Sequence, residues 1–350
     1  MMRLPGFRYR APRTIEDAAA WLAENPANSM LLGGGTDLLP NMKRRQQTPS
    51  TIIGLRGISA LAELHNGDGL TIGAGVTLSN LIADARIRQS YAGLWQAAAQ
   101  VATPHLRNMG TVGGNLCLDT RCTYYDQNYE WRKSIDFCMK RDGTICWVAT
   151  SSPKCLAVSS TDTAPMLQAL GAMVTLVSTR GQRTLPVAEL FANDGMQYLT
   201  RQPDEILTSI ALPAASGWRS AYWKLRRRGA FDFPVASAAV AARLEGTRVI
   251  DLRIVLGAVS SRPLAAARAA ALLIGEDLID ERIAVVAAAA AEIAKPMDNT
   301  DFELVWRKKM VGSLVSHALH EIRGDDMRAR RRQLARQALL SIPASASAPR

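Results

Sequence analysis

With 350 residues, 48% of them hydrophobic and 21% charged, the chain has the composition of a folded protein built from two or three modest units. No apolar run approaches bilayer length, and the basic N-terminal stretch lacks the apolar core of a secretory signal, so a cytoplasmic protein with neither membrane span nor export signal is expected. Part of the net charge of +11 lies in residues 327–336, MRARRRQLAR. With no RNA- or DNA-binding motif beside it, this run reads as a solvated basic helix end rather than a nucleic-acid site, and docking against an acidic partner is a third reading.

In chain order, Thr14 is placed to cap a helix whose inner face is Ile15, Ala18, Ala19 and Leu22. A short strand at 29–32 runs into three glycines, and a second strand follows at 51–55, so a small β–α–β-like unit is expected. A strand and turn at 70–77 precede helices at 78–85 and 92–101. The glycine-rich stretch 107–115 is expected to exclude a regular helix. A helix at 162–170, a strand at 172–179, a short helix at 185–191 and a strand at 205–212 follow. Three consecutive strands, at 220–226, 235–244 and 249–259, then helices at 265–273, 280–293 and 301–322, predict a separate α+β domain. The Ala/Ser/Pro-rich end, 341–350, reads as disordered.

Two glycine segments carry the first functional signal. Leu32-Gly33-Gly34-Gly35-Thr36-Asp37-Leu38 can turn backbone N–H groups inward and let the chain approach a pyrophosphate closely. Thr111-Val112-Gly113-Gly114-Asn115 offers Thr111 and Asn115 side chains beside bare backbone. Neither fits the G-x-G-x-x-G or P-loop patterns, so a Rossmann site is poorly supported. The pair resembles the FAD-binding subunits of the xanthine dehydrogenase and carbon monoxide dehydrogenase family, over nearly the whole chain. That resemblance implies a two-part, PCMH-type α/β region holding FAD, closed by a C-terminal α+β domain with a three-stranded sheet. It implies that Leu32, Gly33, Gly34, Gly35, Thr36, Asp37, Leu38, Thr111, Gly114 and Asn115 hold the FAD phosphates and ribityl chain. It places Asp162 after the second loop and Leu207 and Lys224 near the isoalloxazine. From the residues alone, Asp162 is also a good helix N-cap and Lys224 could be a surface lysine.

The second signal is cysteine. All five lie within residues 117–155, as Cys117, Cys122, Cys138, Cys146 and Cys155, in an aromatic-rich segment with little periodicity. Such a loop has little core of its own, and a metal centre would order it. Paired C-x-x-C knuckles, usual for zinc, are absent; gaps of fifteen, seven and eight residues after Cys122 suit a bulkier iron–sulfur cluster. The run resembles the insertion in the flavin subunit of 4-hydroxybenzoyl-CoA reductases. That resemblance implies a [4Fe–4S] cluster on Cys122, Cys138, Cys146 and Cys155, with Cys117 left to pack against the flavin domain. It also implies partners: a large subunit with molybdopterin and a small [2Fe–2S] subunit, in a dimer of heterotrimers fed by a ferredoxin-like donor. An oxidative hydroxylase passing electrons outward through the same fold is the alternative. No catalytic base or nucleophile cluster is found: His65 and His105 are isolated, while His317 and His320 share a helix face. The expected units are 1–57, 58–217 with the cluster insertion at 117–155, and 218–330, followed by a flexible tail at 331–350.

Overall fold

The computed structural model describes residues 3–229 and 231–335, so the 341–350 tail lies outside the described residues. The strands form three separate sheets. In the first, β1 (Arg8–Arg10), β2 (Ser29–Leu32) and β3 (Thr51–Gly54) pair in parallel in the order β1-β3-β2. Parallel strands need crossover segments, and helix Ile15–Glu24 carries the chain from β1 to β2, on opposite sides of β3. It begins as expected: the Thr14 hydroxyl accepts from the Asp17 N–H, and Ala18, Ala19 and Leu22 are buried.

The second sheet holds β4 (Leu64–Asn66), β5 (Leu70–Gly73), β6 (Met173–Ser178), β7 (Gly181–Pro186) and β8 (Ile206–Leu212). Its order is β4-β5-β8-β6-β7, antiparallel throughout. The helix expected at 185–191 shrinks to a single 3-10 turn, Val187–Leu190, because Leu185 and Pro186 complete the pairing of β7 with β6. The glycine-rich stretch also departs from expectation, since Val112–Leu116 is one helical turn. The Thr111 hydroxyl caps it, accepting from the Gly114 N–H at 3.0 Å. Each helical glycine costs about 0.5–1 kcal/mol relative to alanine, and a cap is worth about as much.

In the third sheet β9 (Trp218–Leu225), β10 (Ala236–Glu245) and β11 (Arg248–Gly257) run antiparallel. A two-residue strand, β12 (Leu264–Ala265), adds a fourth member where three were expected. Two residues leave no periodic trace in a sequence. Strand alternation sorts this sheet's side chains between two cores. On β10, Ala239 and Ala241 join the core under the second sheet, while Ala238, Val240 and Ala242 face the domain's own helices, Asp280–Ile293 and Leu304–Arg323. A strand buried on both faces reads as an unbroken apolar run, and alanines let both layers approach closely.

Residues Arg328–Ala335 form a helix, but Arg331 is not solvated. It pairs with Glu321 and lies over the Trp223 ring at 4.1 Å. His317 packs edge-on against the same ring, 4.9 Å between centroids. Burial, helped by nearby Arg330 and His320, pushes its pKa down from the ordinary 6.5 to about 4. A depressed folded-state value favours the neutral ring, so the stability it contributes is present above 6.5 and lost as pH falls toward 4. His317→Gln should therefore flatten the pH dependence of the unfolding midpoint across that window; an unchanged slope would dissociate His317 from acid sensitivity.

Candidate functional site

The chain leaves β2 directly into Gly33-Gly34-Gly35, and Gly35 adopts a left-handed φ of 74°. This loop packs against residues 109–114. A Cβ on Gly34 would stand 1.8 Å from the Met109 carbonyl oxygen, and one on Gly33 would stand 2.9 Å from the Thr111 hydroxyl. Gly34 in particular is needed for the two loops to touch, because its Cβ would meet backbone. A cleft opens on each side of the contact, and Gly33, Gly34, Thr111, Gly114, Cys117 and Tyr198 line both. An extended dinucleotide can thus cross the belt with each end in its own cleft.

The structure brings most of the expected residues together. Leu32 through Leu38, Thr111, Gly114, Asn115 and Asp162 line one cleft, and Leu207 lines the other. Asn115 also sets the second lobe, its Oδ1 accepting from Thr161 Oγ1 at 2.9 Å and Thr163 Oγ1 at 2.6 Å. Two readings change. Asp162 occupies the N-cap position of helix Thr163–Ala169 but makes no side-chain cap bond. Its carboxylate instead accepts from Tyr222 Oη at 2.7 Å and Lys224 Nζ at 2.9 Å. Lys224 is neither exposed nor among the residues lining the clefts: it is fully buried behind Asp162 and also donates to the Gln100 carbonyl at 3.0 Å. Burial disfavours charge on both partners, pushing Asp162 up and Lys224 down, each opposed by the other. Alternation on β9 explains the placement. Ser220, Tyr222 and Lys224 share the strand face turned toward the second unit.

The sequence reading missed Arg121. It pairs with Asp37 and with Asp126 (2.9 Å), and stacks 4.7 Å from the exposed Phe233 ring at the cleft. It lies in the four residues between Cys117 and Cys122, of which Asp119 and Arg121 both line the cleft.

The cysteine insertion has more order than expected. It contains helix Tyr129–Ser134, capped by Asn128, and a small apolar cluster that includes Cys122, Cys138 and Cys155. It is tied down on several sides. Gln46 Nε2 donates to the Tyr125 carbonyl at 2.6 Å, buried Arg132 reaches the Arg44 carbonyl at 3.3 Å, and Asn299 Nδ2 reaches the Leu156 carbonyl at 2.6 Å. Cys122, Cys138, Cys146 and Cys155 are all buried and line one small cavity, with Tyr125, Lys140 and Trp147. Cys117 stands apart, at the clefts, with its carbonyl accepting from Tyr198 Oη at 3.2 Å.

Among the described residues no group of three or more His, Cys, Asp or Glu could hold a metal ion. A cubane cluster asks for a different arrangement, because each thiolate binds its own iron and the four sulfurs stand farther apart than around a lone ion. Burial, then the nearby Cys155 and Cys138, pushes the Cys122 thiol up to about 12, and burial pushes Cys155 up to about 11. Buried thiols such as those of Cys122 and Cys155 resist ionisation unless a cationic centre compensates them, and a thiolate-bound cluster core would do so. The four buried cysteines around one cavity are the residues that would hold such a group.

Two touching glycine loops with a cleft on each side, and an α+β domain behind them, define a site suited to an extended dinucleotide. The chain matches the family model of the FAD binding domain in molybdopterin dehydrogenase over residues 5–215 and that of the CO dehydrogenase flavoprotein C-terminal domain over 220–322. It belongs to this family and is an FAD-binding oxidoreductase subunit of the molybdenum hydroxylase type. It is 30% identical over 270 residues to the aldehyde oxidoreductase FAD-binding subunit PaoB of Escherichia coli K12, covering 74% of this chain and 83% of that protein. It is 28% identical over 320 residues to the carbon monoxide dehydrogenase medium chain of Hydrogenophaga pseudoflava, covering 90% and 96%. A solved structure of that organism's carbon monoxide dehydrogenase superposes with a TM-score of 0.75 at 28% identity, covering 91% and 97%.

The glycines separate two effects. A Cβ on Gly114 meets only the Thr111 hydroxyl, at 2.9 Å, and the residue lines both clefts. Gly114→Leu should lower bound FAD per protein with little change in the unfolding midpoint of the flavin-free protein. Gly34→Ala forces the loops apart and should lower both. Full FAD content in Gly114→Leu would remove this loop from the flavin site.

Proposed function

We propose that this chain relays electrons between a [4Fe–4S] cluster held by Cys122, Cys138, Cys146 and Cys155 and FAD held across the glycine belt. The observation that carries this reading is the grouping of those four buried cysteines around one cavity, with Cys117 excluded from it. Bound FAD supplies interconversion of one- and two-electron transfer, and a cluster supplies single-electron exchange. The chain's own residues bind, orient and shield these groups: the Gly33-Gly34 and Thr111–Gly114 backbones form the belt, and Asp162 stands beside it, fixed by Lys224 and Tyr222.

The insertion's likeness to that of 4-hydroxybenzoyl-CoA reductases supports a reductive complex. Two electrons and two protons would convert 4-hydroxybenzoyl-CoA to benzoyl-CoA and water on a partner chain. The partners in this reading are a molybdopterin large subunit and a small [2Fe–2S] subunit, two copies of each of the three chains, with a ferredoxin-like donor. An oxidative reading is supported by the relatives, among them the aldehyde oxidoreductase subunit at 30% identity and the carbon monoxide dehydrogenase medium chain at 28%. Rapid mixing separates them. In the assembled complex, a reduced ferredoxin-type donor should bleach the flavin absorbance quickly, and more slowly when Cys138 is replaced. Fast bleaching by an aldehyde substrate, with no response to the donor, would establish the oxidative direction.

A further inference from the structure

The four-cysteine cavity and the flavin cleft share a wall, and a buried ion pair is built into it. Lys140 follows Cys138 by two residues and lines the cysteine cavity. Its side chain is 6% exposed, and so is that of Asp119, its partner at 2.8 Å. The ammonium also donates to Thr120 Oγ1 at 2.7 Å and to the Gly195 carbonyl at 2.6 Å. Three donors thus meet three acceptors, and the rings of Tyr125 and Tyr198 lie 4.9 and 5.4 Å away. Asp119 belongs to the other side. It lines the flavin cleft, and its second oxygen accepts from Tyr125 Oη at 3.2 Å and Gln47 Nε2 at 3.3 Å. Tyr125 in turn lines the cysteine cavity.

The pair is therefore an oriented dipole, its positive end at the cysteines and its negative end at the flavin. We propose that Lys140 is a positioning residue that, with Asp119, sets the redox poise of the two centres, making the cysteine-held cluster easier to reduce and the flavin harder. The inference rests on the cluster reading above. The physical reason is the low dielectric of the wall. A cluster with four thiolates gains negative charge on reduction, and a fixed buried cation offsets that charge far more strongly than one in water. The ammonium is held by three bonds, so its charge stays in place when an electron arrives. Burying a lysine costs too much to leave it unpaired, which accounts for Asp119; it does not account for the pair's orientation between two sites.

The test is a redox titration of the full chain, purified without oxygen, with the cluster followed by EPR and the flavin by absorbance. Lys140→Gln should move the cluster midpoint to lower potential, Lys140→Arg should keep it near the wild-type value, and Asp119→Asn should move the flavin midpoint to higher potential. If Lys140→Gln does not retain iron, Asp119→Asn decides alone. Unmoved midpoints in variants that retain iron and flavin, or loss of iron from both Lys140→Gln and Asp119→Asn, would reduce the pair to a structural strut and overturn the proposal. Iron analysis of the wild-type protein separates this failure from that of the cluster reading: a wild-type chain without iron–sulfur sinks both, whereas a cluster-loaded wild type with unmoved variants sinks only the role of Lys140.

Discussion

Replacing Cys122, Cys138, Cys146 or Cys155 by alanine is expected to deplete a cluster's worth of iron, roughly four atoms per chain, from protein purified without oxygen. A missing ligand leaves an exposed iron that oxidation removes. FAD should stay bound, because none of the four lines the flavin clefts. Cys122, Cys138 and Cys155 are also part of the insertion's small apolar cluster, so losing the centre should expose residues 122–155 to protease. The anchors from Gln46, Arg132 and Asn299 should hold the rest of the domain together. Cys117→Ala should keep the iron, since Cys117 lies outside the four-cysteine cavity, and should keep the flavin, since a smaller side chain obstructs nothing in the clefts it lines. Iron loss on Cys117→Ala, with iron retained in one of the other four variants, would show the ligand set to be wrong.

The second large effect is on stability. Lys224→Met leaves the Asp162 carboxylate buried without its cation, and breaking a buried pair in this way costs about 3–5 kcal/mol. The pair joins the flavin-binding lobe to the third sheet, so the C-terminal domain should loosen first. Denaturant unfolding of the flavin-free protein measures it. The double variant Lys224→Met, Asp162→Leu should recover much of the loss, because the uncompensated charge is gone. A single variant as stable as the wild type would mean that water already reaches the pair.

What the sequence disclosed, and what it hid, follows from the range of the forces involved. The Thr14 cap, the β2-to-glycine turn and helix Asp280–Ile293 were legible because their signals are local. The two-residue β12 was not, since only its pairing with Val255 and Leu256 creates it. Lys224 carried a weak clue: alternation puts it on the face of Tyr222, though nothing local names Asp162 as its partner, sixty-two residues away. The cysteines showed by clustering that they act together, but the sequence could not place Lys140 and Asp119 between them and the flavin. Those residues are twenty-one apart, and only the folded insertion brings them to 2.8 Å.

The most direct measurement is metal and flavin analysis of the wild-type chain purified without oxygen, together with low-temperature EPR after reduction. One FAD and roughly four iron atoms per chain, with the signal of a reduced [4Fe–4S] centre, is the expected result. Flavin accompanied by zinc, or by no metal at all, would contradict the electron relay through the cysteine insertion.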